Sequence, residues 1–304
     1  MNEPASVLWA GLFAVAAVAI AADLLLHRRS SGAMSARAAL LETAAWIALA
    51  LVFDAWIFQA RGRSASIQFL SGYLVEKSLS IDNIFLFVVI FHTFRVPPRA
   101  QHRVLYYGVA AALALRAAFV FAGVELLDHF HQIAYVFGAI LFVTALRMVI
   151  PRRQEAAGAA RIVKLAGRFF PVTENDDGEH FFVRENGKLF ATSLFLALLT
   201  IEIADVIFAA DSIPAVLSIT RSTFIAYSSN VFAVLGLRAI YFVLAGVLRK
   251  IRFLHQGLAA VLIFTAVKMV LGSRISFSDT WSLAVIAAIF AATAAASLLL
   301  PQKG

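Results

Sequence analysis

The sequence predicts an all-α integral membrane protein with about nine transmembrane helices, built around two inverted three-helix repeats. Of the 304 residues, 62% are hydrophobic and only 14% are charged, and the mean hydropathy of +0.85 exceeds that of soluble globular domains. The apolar runs are continuous rather than alternating, which excludes the strands of a transmembrane barrel. A polar pattern that occurs twice along the chain indicates the repeats.

The nine predicted helices are the runs of mostly apolar residues that are long enough to cross roughly 30 Å of hydrocarbon. They lie near residues 7–26, 38–59, 67–91, 104–124, 132–150, 190–213, 225–247, 256–272 and 280–300.

The repeat is visible as charged residues that recur in the same order. In the third and sixth predicted helices, two acidic residues lie six positions apart and a polar residue follows the second. These sets are Glu76, Asp82 and Asn83, and Asp205, Asp211 and Ser212. The helices that follow share V-x-A-x-L-x-L-R-A, as "VAAALALRA" (109–117) and "VFAVLGLRA" (231–239), and the next pair carries "TALRMV" and "TAVKMV". Because each copy would cross the membrane three times, the second copy is expected to be inverted relative to the first.

Inverted repeats are common in secondary transporters, whose sites lie near the midplane at interrupted helices. Pro214 lacks an N–H, and its ring crowds the carbonyl of Ala210. We therefore expect an interruption of the sixth helix at Pro214 that frees the Ala210 carbonyl.

Five segments follow from these features. They are 1–64 with two N-terminal helices, 65–151 with the first repeat (helices 3–5), 152–189 as a cytoplasmic loop, 190–272 with the second repeat (helices 6–8), and 273–304 with the last helix. Within the loop, Asn186-Gly187 between two short apolar pieces predicts a β-hairpin.

Several carboxylates lie within the predicted spans, where a charged side chain costs about 2.5–3.5 kcal/mol. Such groups must be protonated, paired or bound to a metal. The predicted metal ligands are Glu76, Asp82, Asn83, Glu202, Asp205, Asp211 and Ser212. We expect Asp82, Asn83, Asp211 and Ser212 to meet at the centre, with the other three completing the site or a proton path. Structural pairing with Arg116 and Arg238 is the alternative for some of the acids, and Asp54 is a candidate for the access path.

The available ligand atoms favour hard cations. The chain has no cysteine, and its seven histidines fall in loops or at helix ends. Carboxylate, amide and hydroxyl oxygens suit Mn²⁺, Mg²⁺ or Ca²⁺, and the sequence does not choose among them. No prosthetic group is expected, and the ion would be the substrate. An intramembrane aspartyl protease would need two facing aspartates, for which Asp82 and Asp211 are the candidates. Neither lies in a G-x-G-D motif, and the chain has no H-E-x-x-H motif, so no enzymatic activity is predicted.

The orientation is predicted from the basic residues. Most of the 26 Lys and Arg fall in loops on one side, whereas the opposite loops hold only Arg61, Arg63, Arg221 and Arg274. Cytoplasmic loops carry the excess of positive charge, so we expect an outside N-terminus and a cytoplasmic C-terminus. This bias also explains the net charge of +8, with the lipid bilayer rather than nucleic acid as the partner.

At these motifs the sequence resembles the TerC family, integral membrane proteins named for tellurium resistance. The resemblance runs from about residue 40 to 272 and beyond, and its most specific strings are "EKSLSIDNIFLFVVIF" (76–91), "QHRVLYYG" (101–108), "IEIADVIFAADSIPAV" (201–216), "SNVFAVLGLRAIYFVLAG" (229–246) and "KMVLG" (268–272). It implies a bacterial inner-membrane protein involved in Mn²⁺ efflux, and the seven predicted ligands fall on the family's acidic signatures. A chain without thiols has no evident chemistry for tellurite, so any resistance would be indirect.

The leading hypothesis is therefore an exporter of divalent cations, with Mn²⁺ as the expected ion, working by alternating access and driven by proton exchange. The alternative is a non-transporting membrane scaffold or metal sensor that acts through the 151–189 loop. Deleting that loop would separate the two, since a scaffold should fail while a transporter should keep some flux. Homo-oligomers and membrane partner proteins are left open.

Overall fold

The computed structural model describes residues 5–27, 36–130, 132–149, 173, 180–185, 187–245, 253–271 and 277–299, without the side chains of 23–27, 36, 81, 82, 85, 149, 244, 245 and 298. The described chain forms ten helices and one pair of strands. In order they are α1 (Ala5–His27), α2 (Ala36–Arg61), α3 (Arg63–Thr93), α4 (Pro98–His129), α5 (Ile133–Val149), β1 (Phe182–Glu185), β2 (Lys188–Ala191), α6 (Ser193–Leu217), α7 (Thr223–Val234), α8 (Leu237–Ala245), α9 (Leu254–Leu271) and α10 (Asp279–Leu299).

The all-α membrane class is confirmed. Seven apolar segments in the described chain are long enough to cross a membrane, and one of them spans both α7 and α8. α5 is apolar but shorter, and α3 carries Glu76, Lys77 and Asp82 in its middle. The number of nine crossings stays a prediction.

The helices of the two proposed repeats pack reciprocally. α3 packs against α7, α4 packs against α6, and α5 packs against α9. In the proposed repeat, α3 corresponds to α6, α4 corresponds to α7 together with α8, and α5 corresponds to α9. Exchanging the two copies turns the α3–α7 contact into the α6–α4 contact, and it leaves the α5–α9 contact unchanged. A two-fold relation between the triplets would produce this pattern, although the repeat itself stays a prediction.

The predicted interruption at Pro214 is wrong. α6 runs as one helix from Ser193 to Leu217 with Pro214 inside it. The proline removes a single donor close to the end of the helix, and the backbone continues because Ser218 N–H donates to the Pro214 carbonyl over 2.9 Å. Ala210 still receives no hydrogen bond from Pro214, since proline has no N–H.

The interruption lies instead in the segment predicted as one helix over 225–247. α7 ends at Val234, Leu235 takes extended angles (φ −58°, ψ 131°), and Gly236 has a φ of +81° before α8 begins. Trp46 of α2 packs directly on this glycine, because a Cβ at position 236 would lie 2.5 Å from the Trp46 Cγ. Both the backbone angle and the space therefore require glycine here.

The strands β1 and β2 form a two-stranded antiparallel sheet in which Glu185 pairs with Lys188. The two positions between them are 186 and 187, the Asn-Gly pair that predicted a hairpin. Gly187 has a φ of +79°, and a Cβ at this position would meet no described atom within 4 Å. The rest of 151–189, apart from Thr173, His180 and Phe181, lies outside the described residues.

Gly236→Ala should lower the thermal unfolding midpoint of the detergent-purified protein more than Gly187→Ala does. Both substitutions place alanine at a left-handed backbone, which costs about 1–2 kcal/mol, but only position 236 also meets Trp46. The double variant Gly236→Ala/Trp46→Ala should lose less than the two single losses added together. Equal losses for the two alanine variants would show that Trp46 does not constrain the break.

Candidate functional site

Arg116 of α4 lies at the centre of the candidate site and is only 1% exposed. Its Nη2 and Nε donate to the two carboxylate oxygens of Asp205 at 2.8 and 3.2 Å. Its Nη1 donates to Glu76 Oε1 and, at 3.3 Å, to the Asn230 side-chain oxygen. One guanidinium therefore connects α3, α4, α6 and α7 through charge-assisted bonds.

The two carboxylates on Arg116 occupy equivalent positions in the proposed repeats. Glu76 of α3 is fully buried and Asp205 of α6 is 5% exposed. Each precedes the second acid of its own motif by six residues, so the same position of both copies reaches the same arginine. Oε2 of Glu76 has no hydrogen-bond partner within the described part of the chain.

Arg238 occupies the position equivalent to Arg116 but contacts a different part of the protein. Its Nη2 donates to Glu42 of α2 over 2.8 Å. The helix break at Gly236 lies two residues before it, where the first copy has Ala114 inside a continuous helix. The break turns α8, and with it Arg238, towards α2. Both arginines are charge partners: Arg116 binds the predicted ligands Glu76 and Asp205, and Arg238 binds Glu42.

A small pocket opens beside Arg116. Its polar lining consists of Ser80, Asn83, Arg116, Glu202 and Asp205. Both carboxylate oxygens of Glu202 are buried and have no hydrogen-bond partner among the described residues. A Cβ at Gly108 would lie 3.3 Å from Glu202 Oε1, so this glycine lets the carboxylate lie close to α4.

Negative charge is in excess around this pocket. Among the described side chains, Glu76, Glu202 and Asp205 surround one arginine. Asp82 belongs to the predicted site, but its side chain lies outside the described part. Buried carboxylates of this kind require a proton or a cation to balance their charge.

Other predicted ligands lie away from the pocket lining. Asp211 accepts a hydrogen bond of 2.6 Å from Thr144 Oγ1 of α5. Ser212 is 2% exposed, and its hydroxyl has no partner in the described chain. The described side chains thus place Asn83 with Glu202 and Asp205, and they place Asp211 against α5.

Asp54, the candidate for the access path, is 8% exposed in α2. Its Oδ2 accepts a 3.0 Å hydrogen bond from Ser66 Oγ near the start of α3. It is not among the described residues that line the pocket.

No group of three or more His, Cys, Asp or Glu side chains with metal-binding geometry occurs among the described residues. The predicted metal site therefore stays a prediction. Among the described side chains, those available to an ion in the pocket are Glu202, Asn83 and Ser80, with Asp205 held by Arg116.

Sequence reasoning missed Asn230 and Gly108, which contact Arg116 and Glu202. Each stands directly before the shared V-x-A-x-L-x-L-R-A pattern. Extending the repeat comparison by one residue would have drawn attention to both positions.

Comparison with known proteins agrees with this architecture. The sequence model of the protein family "Integral membrane protein TerC family" matches residues 61–304. The chain belongs to the TerC family.

Relatives align with this TerC-family protein over nearly their whole length. It is 45% identical to "Uncharacterized membrane protein STKORF319" of Myxococcus xanthus over 96% of this chain and 92% of the relative. It is 41% identical to "Putative membrane-bound redox modulator Alx" of Escherichia coli (strain K12), over 94% of this chain and 92% of that protein. An "Uncharacterized membrane protein" of Rickettsia bellii is 32% identical over 91% of this chain and 92% of its own length. No solved structure matches this TerC-family protein.

Arg116→Gln should destabilise this TerC-family protein by about 3–5 kcal/mol, because it leaves Glu76 and Asp205 buried without their cation. Arg238→Gln should cost less, since the Arg238 and Glu42 side chains are 10% and 17% exposed. Thermal unfolding in detergent measures both.

A charge-neutral centre provides the second arm of this test. The triple variant Arg116→Met/Glu76→Gln/Asp205→Asn should recover much of the stability lost in Arg116→Gln, because no unpaired charge remains on these three side chains. A triple variant no more stable than Arg116→Gln would contradict the charge explanation.

Proposed function

We propose that this membrane protein of the TerC family exports divalent cations, with Mn²⁺ as the expected ion, by alternating access in exchange for protons. The observation that carries the proposal is the Glu202 carboxylate. It is buried beside a pocket, has no hydrogen-bond partner among the described residues, and lies in a region where carboxylates outnumber the arginine.

The polar lining of the pocket supports a hard cation. Asn83 and Ser80 add amide and hydroxyl oxygens to Glu202, and such oxygens suit Mn²⁺, Mg²⁺ and Ca²⁺. Asp82 and Asp211 remain further predicted ligands from the motifs that carry the family resemblance.

Arg116 provides a means by which an ion could be bound and released. It is an internal cation that pairs with both Glu76 and Asp205, and its single charge balances only one of the two carboxylates. A divalent ion that binds Glu202 would compete with Arg116 for Asp205, and departure of the ion would return Asp205 to the guanidinium. Protons can replace the ion on the same carboxylates, so an imposed pH gradient should drive flux.

Some relatives are named as redox modulators. This chain has no cysteine, so it cannot carry out thiol–disulfide exchange with its own side chains. We infer that a redox or tellurite phenotype, where one occurs, follows from altered metal content.

Mn²⁺ flux into proteoliposomes under an imposed pH gradient tests the proposal. Glu202→Gln should reduce flux about tenfold or more, the effect of losing roughly 1.4 kcal/mol of ion-binding free energy. Glu125→Gln is the matched control, because it makes the same chemical change on a side chain that is 73% exposed.

The contrary result is equally clear. If the folded native protein moves no divalent cation, or if Glu202→Gln transports as well as the native protein, the exporter proposal fails. Absence of flux would favour the scaffold or sensor alternative acting through the 151–189 loop.

A further inference from the structure

The break between α7 and α8 lies at the wall of the acidic pocket, since Val234 and Leu237 on either side of it line the pocket. In a continuous helix, the carbonyls of Ala233 and Leu235 would accept hydrogen bonds from the N–H groups of residues 237 and 239. The extended Leu235 and the left-handed Gly236 redirect the chain at this point. Two carbonyl oxygens at the end of a helix therefore need other donors.

Lys77 of α3 supplies these donors. Its Nζ lies 3.0 Å from the Ala233 carbonyl oxygen and 3.2 Å from the Leu235 carbonyl oxygen. The residue is 9% exposed, and the same Nζ lies 5.7 Å from the centre of the Tyr73 ring. Carbonyl oxygens, the negative end of a helix dipole and an aromatic face all attract a cation.

Each basic side chain near the break has its own binding partner. The neighbouring Glu76 is bound by Arg116, and Arg238 beyond the break is bound to Glu42. Lys77 donates its hydrogen bonds to backbone carbonyls rather than to a carboxylate of the described chain. The position of Lys77 is therefore explained by its bonds to the carbonyls of the helix break, since none of the described carboxylates accepts a hydrogen bond from it.

Broken helices in transporters use their C-terminal carbonyls to bind a small dissociable monovalent ion. We propose that the α7–α8 break is such a monovalent-cation site and that the ammonium of Lys77 is its tethered occupant. Lys77 is then a positioning residue that holds the pocket wall at Val234 and Leu237. The site accepts a free primary ammonium, and more weakly Na⁺, once the side chain is removed.

The test is chemical rescue of the purified full-length protein in detergent. Lys77→Ala should lower the thermal unfolding midpoint by roughly 5–10 °C, since hydrogen bonds from a charged donor are lost. Added n-propylammonium should restore a large part of that loss with saturable dependence on concentration. 1-Propanol, which has the same carbon chain without the charge, and choline, which is too bulky, should not.

Lys268→Ala is the matched control. Lys268 is also 9% exposed, but its Nζ has no hydrogen-bond partner among the described residues and caps no broken helix there. Saturable rescue of Lys77→Ala alone supports the proposal. Absence of rescue, equal rescue by propanol, or equal rescue of Lys268→Ala overturns it.

A second pair of variants decides the matter if Lys77→Ala does not fold. Methionine keeps most of the length of the lysine side chain and removes its charge. Lys77→Met should then lose more stability than Lys268→Met, and an equal or smaller loss overturns the proposal. Because these measurements follow unfolding and not flux, their outcome is independent of whether the protein exports divalent cations.

Discussion

The burial of Arg116 sets the arrangement of the central helices. A guanidinium that is 1% exposed inside a membrane protein must meet carboxylates, because its desolvation is otherwise uncompensated. Glu76 and Asp205 meet this need from α3 and α6, the opening helices of the two proposed repeats. The same contact therefore neutralises the charge and fixes the two triplets against each other.

Arg116 and Arg238 share a sequence motif, but the residue two positions before them differs and their contacts differ. Ala114 lets α4 continue, so Arg116 stays in the centre, while Gly236 ends α7 and Arg238 reaches Glu42 on α2. Among the described residues, the second proposed repeat places no arginine in the lining of the acidic pocket. With Arg238 directed to Glu42, the three described carboxylates of Glu76, Glu202 and Asp205 surround a single arginine.

Much of the fold could be predicted from the sequence because a bilayer imposes strong rules. Backbone groups in hydrocarbon must bond internally, so continuous apolar runs indicate helices, and charged residues stand out against them. The sequence could also single out Glu76, Asp205 and Arg116. The location of the helix break could not be predicted in this way. Pro214 removes one donor near a helix end, where the loss is tolerated, whereas Gly236 packs against Trp46, which is far away in the sequence. The contact of Asp211 with Thr144 likewise depends on how α5 packs against α6, which the six-residue spacing of the acids does not determine.

The two buried basic side chains beside the pocket, Arg116 and Lys77, have different partners. This difference leaves Glu202 without a hydrogen bond from either of them. Arg116 donates hydrogen bonds to Glu76, Asp205 and Asn230, while Lys77 donates to the carbonyls of the α7–α8 break. Neither donates a hydrogen bond to Glu202, whose oxygens have no such partner within the described chain. If Lys77 were free to turn towards the acids, its charge would reduce the excess of carboxylate around the pocket and weaken the proposed binding of an external ion. Its attachment to the helix break keeps that charge away from Glu202, and under the proposed function a proton or a metal ion that enters the pocket supplies the counter-charge for this carboxylate.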